Sequence, residues 1–166
     1  GTHASGYPTT HTYGTATTLS KATKTGYTFG GWHTDAACNN KVTSLGATAY
    51  TANITLYAKW TANTYTVHFD KNADDARGSM EDQSFTYDEQ KELTKNAFTF
   101  DKYSFVGWAT TKDGKKTYDD QSKVSNLTST NGATVTLYAK WEPKATYTVT
   151  LDQTGAKTAG TTSVIA

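Results

Sequence analysis

The residues best suited to contacting a ligand are aromatic: 4 Trp, 11 Tyr and 6 Phe in a chain of 166. A planar row of such rings could stack against sugars. The plainer reading is that they are packing material, since tryptophan is highly buried on average. Trp32, Trp60, Trp108 and Trp141 are all expected in the core. Tyr57 and Tyr138 fall at alternating strand positions that face away from it, and are the better candidates for an exposed binding face.

Ionisable groups offer less. Asp70-x-Asn72-x-Asp74 with Glu81 has the 1, 3, 5 and 12 spacing of a calcium loop. Its sixth position is Asp75 rather than the turn glycine, and no flanking helices are evident, so an acidic hairpin loop is the ordinary reading. His3, His11, His33 and His68 show no metal-ligand spacing. Cys38 sits in Asp35-Ala-Ala-Cys-Asn-Asn40, where His33 is the only nearby base. A single cysteine excludes an intrachain disulfide and a cysteine metal cage. No Gly-x-Ser-x-Gly elbow and no glycine-rich phosphate loop occurs. The expectation is a chain with no catalytic site and no cofactor.

The bulk numbers agree with a structural role. Thirty-five residues are Thr, and with the aromatics they make strand formers dominant. Net charge is +1 with both signs interspersed, which gives no reason to expect nucleic acid or an anionic membrane as partner. No apolar run approaches the roughly 20 residues needed to insert in a bilayer as a helix.

The elements that position the rings recur. Gly26-Tyr-Thr-Phe-Gly-Gly-Trp32 returns 76 residues later as Lys102-Tyr-Ser-Phe-Val-Gly-Trp108. Ile54-Thr-Leu-Tyr-Ala-Lys-Trp60 returns after 81 as Val135-Thr-Leu-Tyr-Ala-Lys-Trp141. Thr64-Tyr-Thr-Val-His-Phe-Asp70 returns after 82 as Thr146-Tyr-Thr-Val-Thr-Leu-Asp152. The chain therefore divides into a first repeat lacking its opening strand (1–61), a complete second repeat (62–143) and the opening of a third (144–166).

Within a repeat the pattern is mostly strand. Tyr65, Val67 and Phe69 share one face of an alternating run, as do Tyr103 and Phe105, with Val106 and Trp108 on the opposite face. Tyr27, Phe29, Leu56 and Leu137 hold equivalent inward positions. Gly107 is expected to let a ring lie over the backbone. Asp88-Glu-Gln-Lys-Glu-Leu-Thr-Lys-Asn-Ala97 has only one β-branched residue, and Asp88 could cap a short helix carrying Leu93 and Ala97. In the first repeat the counterpart is Ala16 to Ala22, with Leu19 in the place of Leu93. The fold class is then α+β, mostly β: tandem β-grasp-like modules with one short helix or helical turn each.

These three linked motifs resemble the Listeria–Bacteroides repeat, also called the internalin B-type B repeat. The resemblance covers 64–141 over the family's whole length and 7–60 except for the first strand. It departs at Asn72-Ala-Asp-Asp-Ala-Arg-Gly78, longer and more acidic than the family's usual Asn-Gly-Gly turn. It implies an extracellular module of bacterial surface or secreted proteins, without catalytic residues. A semi-rigid spacer that supports adhesion is the leading expectation. The alternatives are a module binding a host protein or glycan, and an accessory segment of a large secreted enzyme. Trp60 and Trp141 are expected to pack under the links to the next repeat and fix the angle there.

An incomplete sheet exposes an edge, and a spare strand seeks one. Besides contacts between neighbouring repeats of the chain, the expectation is strand-swapped association through Tyr147–Leu151.

Overall fold

The computed structural model describes residues 8–150. Eleven strands are assigned among them: β1 (Thr17–Thr18), β2 (Tyr27–His33), β3 (Lys41–Val42), β4 (Ser44–Leu45), β5 (Tyr57–Ala62), β6 (Thr64–Asp70), β7 (Gln83–Thr86), β8 (Lys91–Glu92), β9 (Tyr103–Ala109), β10 (Lys123–Val124) and β11 (Thr134–Pro143). No helix is present among the described residues, so none there is long and apolar enough to cross a membrane.

The second repeat forms a four-stranded sheet in the order β7-β6-β11-β9. Its centre is the parallel pair β6–β11, flanked by antiparallel partners on both sides. A parallel pair must be joined by a crossover, and here residues 71–133 supply it. The inward residues of the central pair are fully buried: Tyr65, Val67 and Phe69 from β6, and Leu137 and Ala139 from β11. Phe85, Leu93, Phe98, Trp108 and Val124 complete one core, with Phe105 and Trp141 packed against it. The first repeat holds a three-stranded sheet, β3-β2-β5, and a small pair β1–β4 that matches β8–β10 of the second.

Two sequence expectations fail, each for a local reason. The segment 88–97 is not helical. Asp88 adopts φ 66°, in the left-handed region that ends a helix rather than starting one. Its following donors bond to distant segments: Leu93 N to Ser122 O, Thr94 N to Gln83 Oε1 and Asn96 N to Asp120 Oδ1. Lys91–Glu92 pairs with β10 instead, and Leu93 is buried while Ala97 is exposed. The counterpart Thr17–Thr18 is likewise a strand paired with β4. The described fold is therefore all-β rather than α+β.

The second failure concerns the faces of β9. Strict alternation puts Phe105 and Trp108 on opposite faces, yet their ring centroids lie 4.9 Å apart in the same core. The register against β11 shifts between Lys140 and Trp141, a bulge that inserts one extra residue in β9. Everything beyond the bulge flips face. The same shift occurs in β2 between Phe29 and Gly31, and brings Phe29 to 5.5 Å from Trp32. Gly107 has φ 138°, and a Cβ there would overlap the Tyr118 carbonyl oxygen. What approaches Gly107 is the backbone bridging to Trp108 and the Lys116 stem, not a ring.

Candidate functional site

No group of three or more potential metal-binding side chains converges among the described residues, and a dense polar arrangement lies where β5 passes into β6. Asn63 is the single residue between them and is 8% exposed. All of its polar groups are used. Its N–H donates to Gly26 O at 2.9 Å, and its carbonyl accepts from Tyr87 N at 2.8 Å. Its Oδ1 accepts from the Thr28 hydroxyl at 2.7 Å, and its Nδ2 donates to Ser129 O at 2.8 Å. Gly26 and Thr28 belong to the first repeat; Tyr87 and Ser129 belong to the second. One side chain thus ties both repeats to the residue that links them.

A second layer surrounds it. Gly26 adopts φ 75°, and a Cβ there would overlap the Tyr87 ring, so only glycine lets the two repeats meet this closely. The Tyr27 ring meets Tyr87 edge-on at 5.9 Å, and Lys24 Nζ lies 3.4 Å from the Tyr27 centroid. The Tyr27 hydroxyl donates to Asp88 Oδ2 at 2.7 Å. Asp88 is held in turn by Asn126, whose Nδ2 donates to Asp88 Oδ1 at 2.8 Å. The turn that misled the helix expectation therefore aims Asp88 at the neighbouring repeat.

The hydroxyl bond from Tyr27 and the amide of Asn126 hold the Asp88 carboxyl below the ordinary aspartate value. The same bond holds the Tyr27 phenol above its ordinary value. A depressed carboxyl stabilises the joint above its unfolded pKa, and that contribution is lost as pH falls through the folded value. A raised phenol stabilises the joint below its unfolded pKa, and that contribution is lost as pH rises through the folded value. The joint is thus expected to be tightest across the neutral range and to loosen at both the acid and the strongly alkaline ends. Energy transfer between one label in each repeat, followed against pH, measures this. Tyr27→Phe should remove the alkaline limb that Tyr27 itself supplies and flatten the acid one.

The sequence candidates fall as follows. Trp108 is completely buried, while Trp32, Trp60 and Trp141 keep some exposure. Trp32 Nε1 donates to Ser20 O at 2.8 Å, and Trp60 packs on Phe29 at 5.3 Å. Trp141 donates its indole N–H to Lys71 O at 2.8 Å and meets Phe100 and Phe105 edge-on. It therefore anchors the loop after β6 of its own repeat. Tyr103 stacks on Phe100 at 4.3 Å. Leu56 is half-buried, Tyr57 is exposed and Tyr138 half-buried.

In the acidic loop, Asp70 Oδ1 accepts from Asn72 N at 2.7 Å and closes a local turn. Asn72 Nδ2 donates to Lys112 O and Ala139 O, each at 3.0 Å, so this side chain ties the loop to β11. Asp74 and Glu81 are exposed, and no group of three or more potential metal-binding side chains occurs among the described residues. His3 lies outside the described residues.

Sequence reading missed Asn63, Thr28, Tyr87 and Asp88. Neither Asn63 nor Gly26 recurs: the equivalent positions are Lys144 and Lys102. The backbone bond between them does recur, as Lys144 N to Lys102 O at 2.8 Å, with Lys102 at φ 62°. The exit geometry of a repeat is thus common to both, and the side-chain lock is particular to the first joint.

Comparison with known proteins bears on what such a module is. The family model described as Listeria-Bacteroides repeat domain matches residues 1–59 and 65–140. A protein of Evansella cellulosilytica, named as a membrane protein, is 30% identical over 119 residues, covering 71% of this chain and 17% of its own length. Internalin H of Listeria monocytogenes is 36% identical over 97 residues, covering 58% of this chain and 17% of its own length. The chain thus spans about a sixth of the length of these relatives. No solved structure matches it. With its two matched segments joined through Asn63, the chain belongs to the Listeria-Bacteroides repeat domain family.

Proposed function

We propose that the chain is a non-catalytic, semi-rigid spacer that holds other domains away from a bacterial cell surface. Each repeat is a β-grasp-like module, and the chain comprises repeats at 1–61 and 62–143 with the opening of another at 144–166. The observation that carries the reading is Asn63, whose four hydrogen bonds divide evenly between the two repeats. A one-residue link with every polar group committed leaves little freedom for reorientation. Array proteins in which each unit touches mainly its sequence neighbours behave as quasi-one-dimensional objects. The naming of relatives as membrane proteins and as Internalin H supports a surface, extracellular setting.

The test is a distance distribution between spin labels placed on exposed sites of each repeat, for example Thr43 and Lys115. A narrow single peak is expected. A broad distribution like that of a flexible tether would remove the spacer reading.

A further inference from the structure

The chain enters the second repeat at Thr64, the first residue of β6, and leaves it at Pro143, the last residue of β11. These two strands are neighbours and run parallel, with Thr134 opposite Thr66 and Tyr138 opposite Asp70. Entry and exit therefore sit at opposite ends of one strand pair. The ten residues of β11 extend about 33 Å, which sets the scale of their separation along a common axis.

Tension along the chain acts on such a pair in a definite way. It draws β6 backward by its first residue and β11 forward by its last, so the two strands are loaded in shear. The hydrogen bonds of a ladder cross the strand axis. Sliding strains all five registered pairs, 66–70 against 134–138, at once. If the same two strands were antiparallel, entry and exit would share one end, and tension would open the ladder one bond at a time.

The pair is braced beyond its ladder at both ends. At the entry, Thr64 N donates to Asn131 Oδ1 at 3.0 Å, and its carbonyl accepts from Gly132 N at 2.7 Å. Thr66 N donates to Ala133 O at 2.9 Å. At the far end, Asn72 Nδ2 donates to Ala139 O at 3.0 Å, and Trp141 Nε1 donates to Lys71 O at 2.8 Å. The bonded stretch thus runs from 64 to 72 on one side and from 131 to 141 on the other. Outer strands add to it: β7 pairs with 64–67 of β6, and β9 pairs with 138–143 of β11. Val67, Phe69, Leu137 and Ala139 are buried between them, and a slip of one residue would turn such a set to the wrong face.

We infer that this repeat is a force-bearing clamp, in which tension passing along the chain is carried across β6 and β11 in shear. The source of that tension rests on the spacer reading, since a spacer is pulled from its two ends. The resistance depends only on bonds within residues 64–143. Forced unfolding is governed by the unfolding rate rather than by equilibrium stability, so strength under load is separate from melting temperature.

Single-molecule pulling on the full chain tests this, with pairs of cysteine handles at exposed positions in a Cys38→Ser background. Thr61→Cys with Lys144→Cys loads opposite ends of the strand pair. Thr61→Cys with Thr130→Cys loads the end where both strands begin. The force that unfolds the second repeat is expected to be at least about twofold higher in the first geometry. Asn72→Ala, which removes the brace to Ala139 O, should lower the first force and leave the second unchanged, because there the ladder opens from the Thr64 end. A general loss of stability would lower both. Equal forces in the two geometries, or an Asn72→Ala effect that is the same in both, none included, would overturn the proposal. The spacer reading fails separately: a broad distance distribution between labels on Thr43 and Lys115 would remove it and leave the difference in force standing.

Discussion

Trp108→Ala is expected to destabilise the second repeat by about 3–5 kcal/mol, the usual cost of truncating a buried ring. Trp108 has no exposed surface, and its ring lies 4.9 Å from Phe69, 4.9 Å from Phe105 and 6.2 Å from Phe98. Phe69 and Phe105 are themselves held by β6 and β9, which limits collapse into the space. A domain of this size has a total stability of about 5–15 kcal/mol, so the loss is a large share of the whole. For a unit of this length the melting transition should fall by about 12–40 °C, at about 4–8 °C per kcal/mol.

Trp32→Ala, the same change at the equivalent position, should cost far less. Trp32 keeps some exposure and borders an open groove, so part of its ring is already in solvent. A third variant separates ring volume from polarity. Trp108 Nε1 is buried with no hydrogen-bond partner among the described residues. A buried unpaired donor costs about 1–3 kcal/mol, so Trp108→Phe recovers part of what its smaller ring loses. Calorimetry on the three variants should rank their losses as Trp108→Ala first, with Trp32→Ala and Trp108→Phe well below it. Equal losses for Trp32→Ala and Trp108→Ala would show that the two repeats are packed alike, contrary to the structure.

Asn63→Ala is expected to uncouple the two repeats. The substitution keeps the backbone bonds to Gly26 and Tyr87 but removes both side-chain bonds. Thr28 Oγ1 and Ser129 O are left without that partner. Both residues are exposed, so water takes over the freed groups and the loss is that of two ordinary hydrogen bonds, about 0.5–1.5 kcal/mol each. The loss falls on the interface rather than on either core. In a linear array the coupling between neighbours is what makes separate units melt together. The parent chain should therefore unfold in one transition, and Asn63→Ala in two, the first repeat at lower temperature because its core is open. Asn63→Asp is a useful control. It retains the acceptor for Thr28 but presents an oxygen to Ser129 O, so it should uncouple at least as strongly at neutral pH. A single unshifted transition in both variants would show that the repeats are joined by something other than this side chain.

The joint and the core are two outcomes of one pattern. A repeat closes only when its opening strand is inserted between β7 and β11, and that strand comes directly after the last strand of the repeat before it. The short link from β5 through Asn63 into β6 therefore gives each repeat both its position and its central strand.

The sequence by itself determined the repeat, the strand-rich composition and the inward set on β6 and β11. Tyr65, Val67, Phe69 and Leu137 alternate without interruption, and period-two burial is a purely local property of extended backbone. The linked motifs Tyr-x-Phe-x-Gly-Trp and Thr-Leu-Tyr-Ala-Lys-Trp were enough to point to the family. Tertiary structure alone decided three things. It placed Phe105 and Trp108 in one core, because a bulge is created by the partner strand's register and leaves no fixed mark in composition. It turned 88–97 into a paired segment, because the donors of Leu93, Thr94 and Asn96 found acceptors dozens of residues away or across the sheet. It made Asn63 a lock between repeats, because its four partners are scattered from Gly26 to Ser129 and meet only when both repeats are folded. Burial periodicity is written along the chain, whereas hydrogen-bond partners chosen across it are settled by which segments the fold brings within 3 Å.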